Sequence, residues 1–242
     1  MSRSQLVLLT LTLGVLLAAC PSTRGRGGGG GEEDDDDSAA VDDDDVVTDD
    51  DDVVTDDDDV VTDDDDDAVQ VAQPGDVLVT ELMLDPTAVY DADGEWVELR
   101  NMTSAPIDIS GWELADTGPD SVLVSFGTPL SIPANDYLLL GKSTSTSVNG
   151  GAPVAWAYGS DFTLANSGDE VILYRDDGQL MFSLSYAGSW AVEPGISYQL
   201  NPTVTDLSGA QNKGNWCVAW SAASYGLGDY GTPGLANVYC AD

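Results

Sequence analysis

From Gly75 onward, short apolar runs alternate with turn-forming residues. Runs at 77–84 (VLVTELML), 95–101 (EWVELRN), 111–115 (GWELA), 121–127 (SVLVSFG), 136–141 (DYLLLG), 170–175 (EVILYR), 179–186 (QLMFSLSY), 196–200 (ISYQL) and 216–220 (WCVAW) predict β-strands. They are rich in Val, Ile, Leu and aromatics and are bounded by Gly, Pro, Asp and Asn. Arg175-Asp176-Asp177-Gly178 predicts a tight hairpin, since Asp-Gly supplies the positive φ angles such turns need. No 11-residue window carries an apolar stripe of helical period. Many short strands without interleaved helices favour an all-β sandwich over an α/β fold. Alternation puts Trp112 with Leu114, and Trp216 with Val218 and Trp220, on core-facing sides.

The first 75 residues follow other patterns. Leu6 to Ala19 is one apolar run of 14 residues, short for a membrane span and of signal-peptide length. It ends in Leu17-Ala18-Ala19-Cys20, which resembles the bacterial lipobox: a small-residue cleavage site followed directly by cysteine. The resemblance implies a signal peptide over 1–19 and acylation of Cys20, and so a membrane as partner through that residue. An ordinary secretory signal with an incidental cysteine is the alternative. Residues 20–75 then read as a disordered tether. A glycine-rich stretch (RGRGGGGG, 24–31) leads into three tandem copies of VVTDDDD at 46–66, preceded by a degenerate copy at 39–45. The seven-residue period is not a coiled coil, because four adjacent aspartates per repeat repel one another and Val-Val-Thr is a poor helix former. As a flexible coil the tether would average about 40 Å end to end, and self-repulsion lengthens it.

Charge narrows the function classes. Of 242 residues, 44 are acidic, 7 are basic and none is histidine, giving a net charge of −37. Residues 1–73 hold Glu32, Glu33 and 21 aspartates against Arg3, Arg24 and Arg26, a net of −20; residues 74–242 carry −17. A nucleic-acid partner is excluded, because phosphate contacts need a basic surface. Without histidine, Ser-His-Asp and Cys-His sites and imidazole-bound zinc are excluded as well. Three cysteines are one short of an all-thiolate zinc site.

Several blocks carry a family resemblance. Gly94-Glu95-Trp96-Val97-Glu98-Leu99-Arg100-Asn101, followed by Ile107-Asp108-Ile109-Ser110-Gly111-Trp112-Glu113-Leu114, resembles the lamin-tail domain. So do residues 130–140 (LSIPANDYLLL), 164–174 (LANSGDEVILY) and the closing Gly231-Thr232-Pro233-Gly234-Leu235-Ala236-Asn237. The resemblance implies an immunoglobulin-like β-sandwich over 76–242. The lipobox-like segment on the same chain points to the bacterial branch of the family, whose modules are mostly non-catalytic. The stretch 187–230 is longer than in a minimal copy of that domain. Beyond Cys20 only Cys217 and Cys240 remain, and in an exported chain they are expected to form a disulfide; two buried free thiols are the alternative.

Two candidate sites stand out. Asp91, Asp93 and Glu95 alternate around Gly94, with Glu81 and Asp85 just upstream, and hard oxygen ligands on one loop suit calcium as a possible cofactor. The plainer reading is an Asp-Gly turn on a solvated acidic face. Trp190, in a Gly/Ser-flanked loop, is the tryptophan expected to contact a ligand such as a sugar ring. Paired carboxylates could serve a glycosidase, but with this many acids a suggestive pair is expected by chance. The chain thus reads as a non-enzymatic, lipid-anchored protein of the bacterial envelope, in the outer membrane or at the cell surface. Its module would bind or scaffold an envelope or extracellular protein. The alternative is a carbohydrate-binding, or less readily a carbohydrate-hydrolysing, surface domain.

Overall fold

The computed structural model describes residues 71–125, 127–187, 190, 192–220 and 222–240. The signal segment 1–19, Cys20 and the tether as far as Gln70 lie outside the described residues. In chain order the elements are β1 (Val77–Met83), a one-turn helix α1 (Asp91–Gly94), β2 (Trp96–Asn101), β3 (Ile107–Asp108), β4 (Glu113–Ala115), β5 (Ser121–Leu123) and β6 (Ser131–Ile132). Then follow β7 (Tyr137–Gly141), β8 (Val154–Ala157), β9 (Gly168–Tyr174), β10 (Leu180–Ala187) and β11 (Tyr198–Leu200). The chain closes with α2 (Leu207–Ala210), a 3-10 turn at Lys213–Asn215, β12 (Trp216–Val218), β13 (Ser224–Tyr225) and β14 (Asp229–Tyr230).

Two sheets form an immunoglobulin-like β-sandwich. The larger has the order β12-β11-β1-β2-β7-β8, and the smaller β10-β9-β4-β5. All pairings are antiparallel except β7 with β8. Alternation along each strand sends one set of side chains between the sheets. Leu82, Val97, Leu99 and Leu140 from the larger sheet share one buried core with Leu114, Val171, Leu173 and Leu184 from the smaller. Ala72 joins that core ahead of β1, and its carbonyl accepts a hydrogen bond from Arg175. The Asp-Gly hairpin between β9 and β10 forms, with Gly178 at φ 84°.

The other face of the larger sheet is what positions the site. One cross-strand row runs over it: Cys217 opposite Gln199, Gln199 opposite Glu81, Glu81 opposite Glu98, Glu98 opposite Leu139, and Leu139 opposite Val154. In a half-solvated sheet this row would face water. Here Glu81, Glu98, Gln199, Leu139 and Val154 are all buried, because residues 219–220 and 222–240 fold back across the face as a strap. Met83, Trp96, Leu139, Ala152 and Val154 make a second apolar cluster under it, with Tyr225 of the strap packed on top. The strap meets the 150 region through two glycines, since a Cβ on Gly226 would fall 1.9 Å from the Gly150 carbonyl oxygen and 2.6 Å from the Gly151 Cα.

Candidate functional site

The strap is held by polar groups placed on that row. Glu81 accepts hydrogen bonds from the Ser197 hydroxyl, from the Thr232 backbone N–H (2.9 Å) and from the Thr232 hydroxyl (2.8 Å). Glu98 beside it accepts from the Thr80 hydroxyl at 2.7 Å and from the Gly234 N–H at 2.7 Å. Gln199 donates to the Val238 carbonyl (2.7 Å), and Asn237 donates to the Thr80 and Leu200 carbonyls (2.8 and 2.9 Å). The Cys217–Cys240 disulfide closes the far end across a sequence separation of 23, with the Cα atoms 5.8 Å apart. Asp229 (1% exposed) ties the strap to the 85–90 loop: its Oδ1 accepts from the Thr87 N–H, the Thr87 hydroxyl and the Ala88 N–H at 2.8–3.0 Å.

This geometry raises carboxyl pKa values. Burial pushes Glu81 above the ordinary glutamate range, against its hydrogen bonds to Ser197 and Thr232. Burial, then the neighbouring Glu81 charge, pushes Glu98 well up. Two carboxylates on adjacent strands under an apolar cover disfavour double ionisation. Their oxygens accept from groups of the sheet and the strap, an arrangement suited to docking the strap and not to attack on a substrate.

The five residues expected around a calcium ion are not brought together. Glu81 is under the strap. Glu95 turns inward: its Oε2 accepts from the Leu164 N–H at 3.1 Å and pairs with Lys142 Nζ at 3.3 Å. That ammonium also donates to the Phe162 carbonyl (2.7 Å) and the Thr163 hydroxyl (3.1 Å). Burial lifts Glu95 to about 7 even so. Asp91 and Asp93 sit on α1, where Asp91 accepts from the Asn166 amide at 3.1 Å. Asp85 stays near Asp91 and Asp229, whose charges add to burial in raising its pKa. Among the described residues no group of three or more acids or cysteines is gathered for a metal. The physical reason is that they belong to different elements. Glu81 is on the strap side of β1, Asp91 and Asp93 are on the one-turn helix α1, and Glu95, which caps it, turns toward Leu164 and Lys142. Melting midpoints in calcium, magnesium and chelator at matched ionic strength are therefore expected to agree within about a degree. A calcium-specific rise of several degrees would restore the loop as a metal site.

Trp190 is half-buried in an aromatic stack. Its ring lies 4.4 Å from Tyr198 at 6° and 5.3 Å from Tyr186 at 15°, with Trp216 tilted at 5.5 Å. Its ring faces pack on other rings of the chain. Trp112 and Trp216 are core residues, as alternation predicts, whereas Trp220 is 63% exposed because β12 ends at Val218 and the chain turns away. Sequence reasoning missed the buried glutamate pair and Asp229. The available signal was the closing Gly-Thr-Pro-Gly-Leu-Ala-Asn segment, whose backbone N–H groups need acceptors.

Fold and site together define a class: an immunoglobulin-like module closed by a disulfide-bonded strap, with its buried acids committed to structure. Within that class, residues 70–188 match the model of the Lamin Tail Domain family. The match supports that family for the stretch from β1 to β10 and the non-catalytic binding or scaffolding role general to it; the strap lies beyond the matched residues. No curated protein matches the chain.

Proposed function

We propose that this chain is an exported bacterial lipoprotein, anchored through acylated Cys20. Its acidic tether holds a non-catalytic binding or scaffolding sandwich away from the lipid. The observation that carries the reading is the paired Cys217 and Cys240, a bond that persists in oxidising, extracytoplasmic compartments. It supports the export implied by Leu6–Ala19 and leaves Cys20 as the one cysteine free for a lipid. Two or three acyl chains there would anchor the protein stably, at about 0.8 kcal/mol per buried methylene. Expressed in a bacterial host fed labelled palmitate, the wild type should take up label and sediment with membranes, and Cys20→Ala should do neither. Absence of label from the wild type, with Cys20→Ala still in the membrane fraction, overturns the anchor.

A further inference from the structure

The strap does more than cover the sheet. Residues 220–240 contain a single charged residue, Asp229, and it is buried. They expose five large apolar side chains: Trp220, Leu227, Tyr230, Leu235 and Tyr239. The rest of the described domain, several times longer, exposes five more. The Leu227 N–H bonds to the Gly150 carbonyl, and Val89 and Ala88 lie against Gly150. A charge-free face carrying Trp, Tyr and Leu thus lies on a domain of net charge −17.

Hydrogen bonds fix the layout of this face. The Ser197 carbonyl takes the Ala219 N–H and the Ser197 N–H reaches the Tyr230 carbonyl, so Trp220 and Tyr230 flank the same strand end. The Cys217–Cys240 bond keeps Tyr239 beside them. Leu235 follows Gly234, which stands against Pro153 toward the β8 edge. Six strands at about 4.8 Å spacing make the covered face roughly 25–30 Å wide, the scale of a standard protein–protein interface of about 800 Å² per partner. None of the five side chains lines the crevice at Arg100 or the bowl at Trp190. A face of this size suits a macromolecule and not a small ligand.

The charges choose among macromolecules. Asp85, Asp91 and Asp93 are partly exposed on the loop that Asp229 ties to the strap, and they give the face an acidic border. A second copy would bring its own −17 and the same border, and an anionic lipid surface would likewise repel it. We infer that the strap face is a docking surface for a protein whose contact patch is apolar at its centre and basic at its rim. Aromatic anchors within a polar border are the usual anatomy of such interfaces. This inference rests on the exposed face alone and stands whether or not Cys20 is acylated.

The test uses the full chain in detergent and two fluorescent peptides of equal charge, one built from Lys and Leu and one from Lys and Ser. Both meet the acidic tether alike, so the difference between them reads the apolar face. The Lys-Leu peptide is expected to bind at least tenfold more tightly, and Trp220→Ser with Leu235→Ser should erase that advantage. Both residues are about two-thirds exposed, so the variant should melt like the wild type. Equal affinity of the two peptides, or an advantage that survives in the variant, overturns the inference. So does a dimer in sedimentation that grows with salt and is lost in the variant, since the face would then belong to a second copy.

Discussion

Glu81→Ala is expected to cost about 3 kcal/mol or more of stability, since each buried donor left without its acceptor costs about 1–3 kcal/mol. The loss comes from the partners left behind. Ser197 and both donors of Thr232 are buried or half-buried and lose their acceptor together. Glu98→Gln should behave differently. One amide oxygen can keep the Gly234 N–H, and the amide NH2 can donate to a Thr80 hydroxyl turned to accept. The variant also removes the repulsion that pushes Glu98 up. It should match or exceed the wild type at pH 8.5. The sign with pH follows from the raised values. The folded state holds protons on Glu81, Glu98 and Glu95 that the unfolded chain releases near the ordinary glutamate value. That stabilisation is complete below the unfolded value and is lost as pH rises through the folded ones, with Glu95 crossing at about 7. Urea midpoints should therefore fall from pH 5.5 to pH 8.5, and fall less in Glu98→Gln. A flat profile, or an unchanged midpoint for Glu81→Ala, would mean the glutamates do not hold the strap.

How far the sequence reaches can be read from those same strands. The apolar runs VLVTELML and EWVELRN, bounded by turn residues, place β1 and β2, and the Asp-Gly turn places the β9–β10 hairpin. Runs shrink where local geometry intervenes. The 111–115 run begins at Glu113, because Gly111 sits at φ 78° in a turn. The 121–127 run stops at Leu123, ahead of Ser125 at φ 45°. β8 escapes notice because four residues after Pro153 pair in parallel, a contact without a local turn to mark it. The glutamates show the deeper limit. Glu81 and Glu98 are charged residues beside strand positions that pack the core, and a carboxylate is ordinarily left to solvent. What buries them is a segment more than a hundred residues away, so their protonation is set by a contact no local pattern encodes. The calcium grouping fails on a related ground: Glu81 is held under the strap, whereas Asp91 and Asp93 sit on α1, outside the sheet.

The disulfide should matter in proportion to how little else holds the strap's end. On the loop-entropy model, closing a separation of 23 residues stabilises the fold by about 3 kcal/mol. Cys217→Ser with Cys240→Ser is expected to lose that much. The loss should be uneven along the strap. Asp229, Thr232 and Gly234 keep their bonds to the 85–90 loop and to the glutamate pair, whereas beyond Asn237 the polar ties are those of Val238 with Gln199. Local opening is governed by such contacts. Amide exchange at Val238 and Tyr239 should speed up by orders of magnitude in the double variant, while Thr232 and Gly234 change only by the global loss. Uniform acceleration across the strap would mean that it detaches as one unit, with the glutamates too weak to hold it. No acceleration at its end would mean that the Gln199 bonds suffice and the disulfide acts on the unfolded chain alone.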